Sequence, residues 1–238
     1  MKTKMPVKVI YPVPQDNWRT FEPFVLRFVE TLRKYDPGYP YELIAVLNNG
    51  TQSKHLEDLF AGLPVRFWVY NGTGWNMGSA QAAMAICFDD DFIVSMSSRC
   101  YFHREGWLAK MMAARAAHGP GIYGTGSFEA KRHIRACAFG IDAKLFRAVP
   151  FQVLVPDDGH RLEYKNHCLT DFVEANGGVA KQVTFVGVQN SKDWRKPENI
   201  YRKGDQSNVL VMDKWTEDYF NCSPEMKRER EEKTFGPK

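Results

Sequence analysis

The sequence predicts an α/β domain with a central, mostly parallel sheet flanked by helices. Two strand-then-helix units follow one another near the start, and the alternation continues through four strands and four helices. A parallel sheet needs that order, because each crossover carries a helix back over the sheet. A length of 238 residues with 44% hydrophobic residues suits one large domain, or one domain with a short appendage.

The first run, VKVIYPV (7–13), is β-rich and stops at prolines. In TFEPFVLRFVETLRKYDPG, Phe21, Phe24, Val25, Phe28 and Leu32 recur at helical spacing, Thr20 can cap, Pro23 suits a first turn and DPG ends the helix. YELIAVLNNG (41–50) is a second buried strand, SKHLEDLFAG a short helix, and VRFWVYNGTG (65–74) a third strand. SAQAAMAICF gives a helix of small residues, FIVSMSS (92–98) a fourth strand, and REGWLAKMMAARAAHGPG a helix closed by Gly119 and Pro120. GIYGTGSF and HIRACAFGI then read as strands, DAKLFRAV as a short helix, EYKNHCLTDFVEANGG as a helix closed by Gly177, and VTFVGV (183–188) as the last strand. From Gln189 the chain turns polar, which divides it into a domain over 1–188 and an extension over 189–238, where Trp194, Trp215, Tyr219 and Phe220 imply packing on or near the rest.

Several classes are disfavoured. The net charge of +4, from 32 basic and 28 acidic residues, is too small and diffuse to point to nucleic acid. Five cysteines, odd in number and never in a CxxC pair, argue against a disulfide framework and a zinc cage, and for reduced thiols in the cytoplasm. No segment has transmembrane length, and the apolar stretch near Met1 is too short for a signal sequence. Asp89, Asp90 and Asp91 precede the fourth strand, at the end opposite to where ligands gather, and read as a solvated loop.

In an open α/β sheet ligands collect at the carboxyl ends of the strands. Those ends are Tyr11–Val13, Asn48–Gly50, Tyr70–Gly74 and Ser97–Arg99. Gly72, Gly74 and Gly78 do not match GxGxxG and follow the third strand, so they serve either a plain tight turn or the close approach of a diphosphate or ribose. His160, Glu163 and His167 stand near one another in sequence, as a solvated face or a metal cluster.

The pieces VIYPVP, LIAVLNNG, NGTGWNMGSAQAAM and FIVSMSSRCYFHREGWL, in that order, resemble GT-A fold glycosyltransferases of the family-2 type, over residues 7–188. The resemblance implies a nucleotide-sugar donor, with Pro12, Val13, Asn48, Asn49 and Asn71 around its nucleoside and Asn76 and Gly78 near ribose or diphosphate. It also implies a DxD metal motif, but Ser97, Ser98 and Arg99 stand in its place. Serines beside a guanidinium make a poor manganese or magnesium site, so metal dependence stays open and Arg99 is a candidate to neutralise the diphosphate, with Ser98 beside it. For the base of an inverting transfer the candidates are Glu163 first and Asp158 second, with His133 and His167 on the acceptor side. The expected function is transfer of a sugar to a glycan, lipid-linked or other acceptor. The alternatives are a catalytically inactive domain that binds a nucleotide, glycan or protein, and a nucleotidyltransferase, which YPVPQDNWR does not favour because it lacks the glycines of that first loop. Oligomeric state stays open.

Overall fold

A computed structural model of the chain describes residues 6–128, 131–194 and 203–235. Its sheet has eight strands: β1 (Val7–Pro14), β2 (Glu42–Asn48), β3 (Val65–Tyr70), β4 (Phe92–Met96), β5 (Gly121–Ser127), β6 (His133–Asp142), β7 (Val179–Val183) and β8 (Val188–Gln189). The order is β3-β2-β1-β4-β6-β5-β7-β8. Pairs β1–β2, β2–β3, β1–β4 and β5–β7 are parallel, whereas β4–β6, β5–β6 and β7–β8 are antiparallel. The chain therefore forms a mostly parallel mixed sheet, as the alternation predicts. Strand order reverses between β1 and β4, which opens a crevice beyond their carboxyl ends.

Helices cover both faces. Along β1, Val7, Val9, Tyr11 and Val13 point to one layer and Ile10 to the other, the two-residue period of a strand. The first layer holds α1 (Trp18–Lys34), α2 (Lys54–Phe60) and α4 (Trp107–His118); the second holds α3 (Trp75–Ala83), α5 (Ala143–Arg147), α6 (Pro156–Glu163) and α7 (Leu169–Ala175). Two helices, α8 (Lys214–Phe220) and α9 (Pro224–Phe235), end the chain.

Some expectations shift. The first helix starts at Trp18 with Asn17 as its cap, so Thr20 and Pro23 lie inside it. Val25, Phe28, Val29 and Leu32 are buried, while Phe21 and Phe24 stay partly exposed. The single helix expected around residues 163–177 is two helices. Pro156 starts α6, and Asp158 accepts the N–H groups of Leu154 and Val155 at its N-terminus. The helix ends at Glu163, the chain turns over residues 164–168, and α7 follows. Glu163 therefore closes a helix where the sequence suggested that it opens one.

Likewise VTFVGV is a reversal. Strand β7 stops at Val183, a turn at Thr184–Gly187 is tied by the Thr184 N–H to the Gly187 carbonyl at 2.9 Å, and β8 returns. The chain stays in the sheet across residue 188. Beyond it, Trp194, Val209, Leu210, Val211, Met212 and Tyr219 are buried. Met212 bridges Tyr101 and Val209 bridges Thr184, so NVLVM within the polar stretch is an apolar strap.

Candidate active site

The crevice begins where β1 runs on to Pro14. Pro12 and Val13, expected around a nucleoside, are buried within the sheet, Val13 in the core under α1. The end of that strand is instead Pro14 and Gln15, and the Gln15 N–H donates to the Asn48 carbonyl at 3.0 Å. Asn48 is buried and its Oδ1 accepts from Ser79 Oγ at 2.9 Å, which anchors α3. Asn49 is exposed with φ +53°, a conformation that asparagine tolerates, and its amide spans Asp16 and the Gly72 carbonyl. Asn71 is exposed at the end of β3.

The glycine turn has an internal explanation. A Cβ on Gly72 would meet the Tyr70 ring at 2.4 Å, one on Gly74 the Val153 carbonyl at 2.8 Å, and one on Gly78 the Tyr70 hydroxyl at 2.5 Å. The missing side chains make room for Tyr70 and for segment 153–154, so Gly78 is not a bare surface for a diphosphate. Trp75, the next residue after this turn, has φ +49°. For a bulky L residue that backbone costs of order 1–3 kcal/mol.

Opposite this turn, β6 carries a large bulge. Pairing passes from Gly124↔Phe139 to Gly126↔Ile134, so five steps along β6 face two along β5. The bulge turns the Ala136 amide away from its neighbour strand. Its carbonyl accepts from Asn76 Nδ2 at 2.8 Å, and its N–H donates to Glu163 Oε1 at 2.8 Å. Helices α3 and α6 are thereby joined through one residue of the sheet. Bulges commonly re-aim groups beside functional sites.

His133 is the third member. Its Nδ1 lies 2.7 Å from the Lys131 carbonyl, so that nitrogen carries a proton, and Nε2 faces Glu163 Oε1 at 3.7 Å. That separation exceeds hydrogen-bond length. Burial alone would raise the Glu163 carboxyl, but His133, the Ala136 N–H and Arg135 outweigh it and hold the group below the usual glutamate range. Glu163 stands here as a carboxylate, its Oε2 not engaged among the described residues.

Beside the bulge, Arg135 pairs with Asp213 at 2.8 Å, both side chains buried. Asp213 also caps α8 by accepting the Thr216 N–H at 2.8 Å. This pair and the Met212–Tyr101 bridge fasten the strap to the carboxyl side of β4. The Cys137 carbonyl accepts from the Ser97 N–H at 2.7 Å and the Cys100 thiol at 3.0 Å. Burial pushes the Cys100 thiol up to about 12 and Cys137 well above the ordinary range.

At the end of β4, Ser97 Oγ is engaged with Cys100 Sγ at 3.3 Å, the Ser98 carbonyl accepts from the Tyr11 hydroxyl at 2.7 Å, and the Arg99 guanidinium lies over Phe24 at 4.7 Å and Phe21 at 5.7 Å. A divalent cation of the manganese or magnesium type needs several oxygen ligands, usually carboxylates. These residues do not fit one, and among the described residues no group of three His, Cys, Asp or Glu side chains could hold a metal ion.

Other candidates are dispersed. Asp158 is committed to capping α6. His167 is exposed and stacks on Phe151, and His160 faces Asp157 at 4.0 Å, so neither joins Glu163 in a cluster. In the loop before β4, Asp89 and Asp90 are exposed, but Asp91 is buried and accepts the Phe88 N–H at 2.7 Å. Sequence reasoning missed Arg135 and Asp213, whose signal was available: a lone charge inside HIRACAF and another closing VLVMD must be paired if those runs are buried.

No protein-family model matches the chain, and no curated protein does. Solved structures do align with it. The S. aureus TarS chain in complex with UDP-GlcNAc is 15% identical over 60% of this chain and 47% of its own, with a TM-score of 0.44. The mannosyltransferase PcManGT from Pyrobaculum calidifontis, in complex with GDP-Man and Mn2+, is 14% identical over 65% and 50%, with a TM-score of 0.49. A 4-diphosphocytidyl-2C-methyl-D-erythritol synthase from Anaerococcus prevotii is 13% identical over 74% and 86%, with a TM-score of 0.45. The alignment spans about half the length of the TarS chain.

Proposed function

We propose that the protein is a glycosyltransferase that moves a sugar from a nucleotide-sugar donor to an acceptor hydroxyl, with inversion. The observation that carries this reading is the meeting of Glu163 and Asn76 on the bulged Ala136, beside the crevice where β1 and β4 diverge. A carboxylate kept ionised by His133 and a backbone N–H suits a general base, whose free oxygen takes the acceptor proton as the hydroxyl attacks. Asn48 secures α3 from beneath, Asn49 and Asn71 offer amides to the nucleoside, and Arg99 offers a planar donor fork to the departing diphosphate. No step is routed through a metal, because Ser97, Ser98 and Arg99 do not fit one. Residues 209–213 serve as one wall of the crevice, fastened through Asp213. Five free cysteines favour a cytoplasmic setting, and among the described residues no helix is long and apolar enough to cross a membrane.

Thermal shift against a panel of nucleotide sugars, with manganese or with EDTA, tests this reading. Stabilisation by one donor, equal in both conditions and followed by transfer or donor hydrolysis, is the expected result; indifference to every donor overturns it. A second reading, an inactive domain that binds a nucleotide, glycan or protein partner, is favoured by the lack of any carboxylate among Ser97, Ser98 and Arg99. It predicts donor stabilisation without turnover.

A further inference from the structure

Trp75 has no part in the chemistry above, yet two independent features single it out. Its indole is 59% exposed at the carboxyl side of the sheet, and its backbone is held in a conformation that bulky residues avoid. The surrounding turn is pinned rather than loose: Thr73 Oγ1 donates to the Leu154 carbonyl at 2.9 Å, the Trp75 carbonyl shares the one Ser79 Oγ proton with Asn48 Oδ1 at 2.6 and 2.9 Å, and Asn76 is bound to Ala136. Segment 153–155 lies along the turn, and its Leu154 and Val155 are also exposed, at 58% and 47%.

We propose that Trp75 is a specificity-determining residue that carries a sugar ring of the acceptor on its indole face. The inference rests on the reading of the crevice as a site of sugar transfer and names a residue that would select the acceptor. Position supports the acceptor over the donor: Asn76, the adjoining residue, is tied to the same Ala136 that holds Glu163, the group that would receive the acceptor's proton. Composition supports a sugar over a phosphate. Aliphatic Leu154 and Val155, with the hydroxyl oxygen of Thr73, suit a ring with an apolar C–H face and a hydroxylated edge. Strained backbone persists where surrounding contacts over-determine it, and it gathers at ligand clamps.

The test uses the full chain and neutral trisaccharides (chitotriose, cellotriose, maltotriose and mannotriose), read by saturation-transfer NMR on wild type, Trp75→Gly and Trp75→Phe, alongside thermal melts. At least one sugar receives saturation on its ring protons from wild type, the signal falls about fivefold in Trp75→Gly, and it is largely kept in Trp75→Phe. Trp75→Gly melts no lower than wild type, because glycine adopts φ +49° freely. Three outcomes overturn the inference: no trisaccharide responds to wild type, the signal survives in Trp75→Gly, or that variant melts well below wild type, which would make the indole a packing element. The donor panel run on the same variants separates the two proposals. Donor stabilisation with a glycan signal unaffected by Trp75→Gly sinks only the role of Trp75, whereas Trp75-dependent glycan binding with no response to any donor sinks only the transferase reading.

Discussion

Glu163 illustrates how a side chain's surroundings set its chemistry. In sequence it is one acid among several, and in the fold it is the one that meets a backbone N–H and an imidazole at the crevice. Glu163→Gln keeps the shape and one acceptor oxygen but removes the charge, so transfer should fall about 10²–10⁴-fold with donor affinity unchanged, measured by steady-state kinetics. The same residue makes a pH prediction. Its folded pKa is depressed, so its contribution to stability is complete above the unfolded glutamate value of about 4.3 and is lost as pH falls through the lower folded value. Urea unfolding from pH 7 to pH 3 should therefore show the gap between wild type and Glu163→Gln closing below about pH 4. A constant gap would refute the pairing. Arg99 answers a different question. It is stacked on Phe21 and Phe24 and takes part in no core cluster, so Arg99→Ala should melt within a degree or two of wild type while donor affinity drops roughly 10–100-fold, the worth of charge-assisted hydrogen bonds.

Between elements, the decisive contact is the one that fastens the strap. Asp213 neutralises the buried Arg135 and caps α8, so Asp213→Ala removes the carboxylate that balances a buried guanidinium and should cost about 3–5 kcal/mol in denaturant unfolding. Replacing both partners by apolar residues should recover much of that loss, since the desolvation of two charges vanishes with them. Helix α1 reinforces the seam. Arg27 grips Glu217 of α8 at 2.8 and 3.2 Å and lies 3.9 Å above the Tyr101 ring, and the Tyr101 hydroxyl donates to Glu217 at 3.1 Å. The part of the chain that reads as a polar tail thus packs on the sheet through one short apolar run, Val209 to Met212.

At the scale of the whole molecule, burial governs the thiols. All five cysteines are free, and Cys87, Cys100 and Cys168 are buried, Cys100 with its thiol pushed up to about 12. Stability should be the same with and without a reductant, and a thiol reagent should modify Cys222 in the native state while sparing Cys100 until the protein unfolds, as mass spectrometry of the labelled chain would reveal. Early labelling of Cys100 would contradict the closed packing of β4 and strap.

The sequence by itself determined the layered α/β plan, the helix-bearing crossovers and the carboxyl ends of β1 to β4 as the place to look. These follow from local periodicity and turn chemistry, which each segment carries alone. It also showed that Ser97, Ser98 and Arg99 supply no carboxylate at the end of β4. Only the tertiary structure decided that Pro12 and Val13 are core, that Gly72, Gly74 and Gly78 make room for Tyr70, that Asp158 caps a helix and that Glu163 reaches Ala136. The last of these depends on partners far along the chain, 27 residues away for Glu163 and Ala136 and 60 for Asn76 and Ala136, whereas the cap and the glycine turn depend on neighbours whose geometry a hydrophobic pattern does not record. The physical reason is the bulge in β6: surplus residues leave no trace in a hydrophobic pattern, yet they free the N–H and the carbonyl of Ala136 from the ladder to β5 for Glu163 and Asn76.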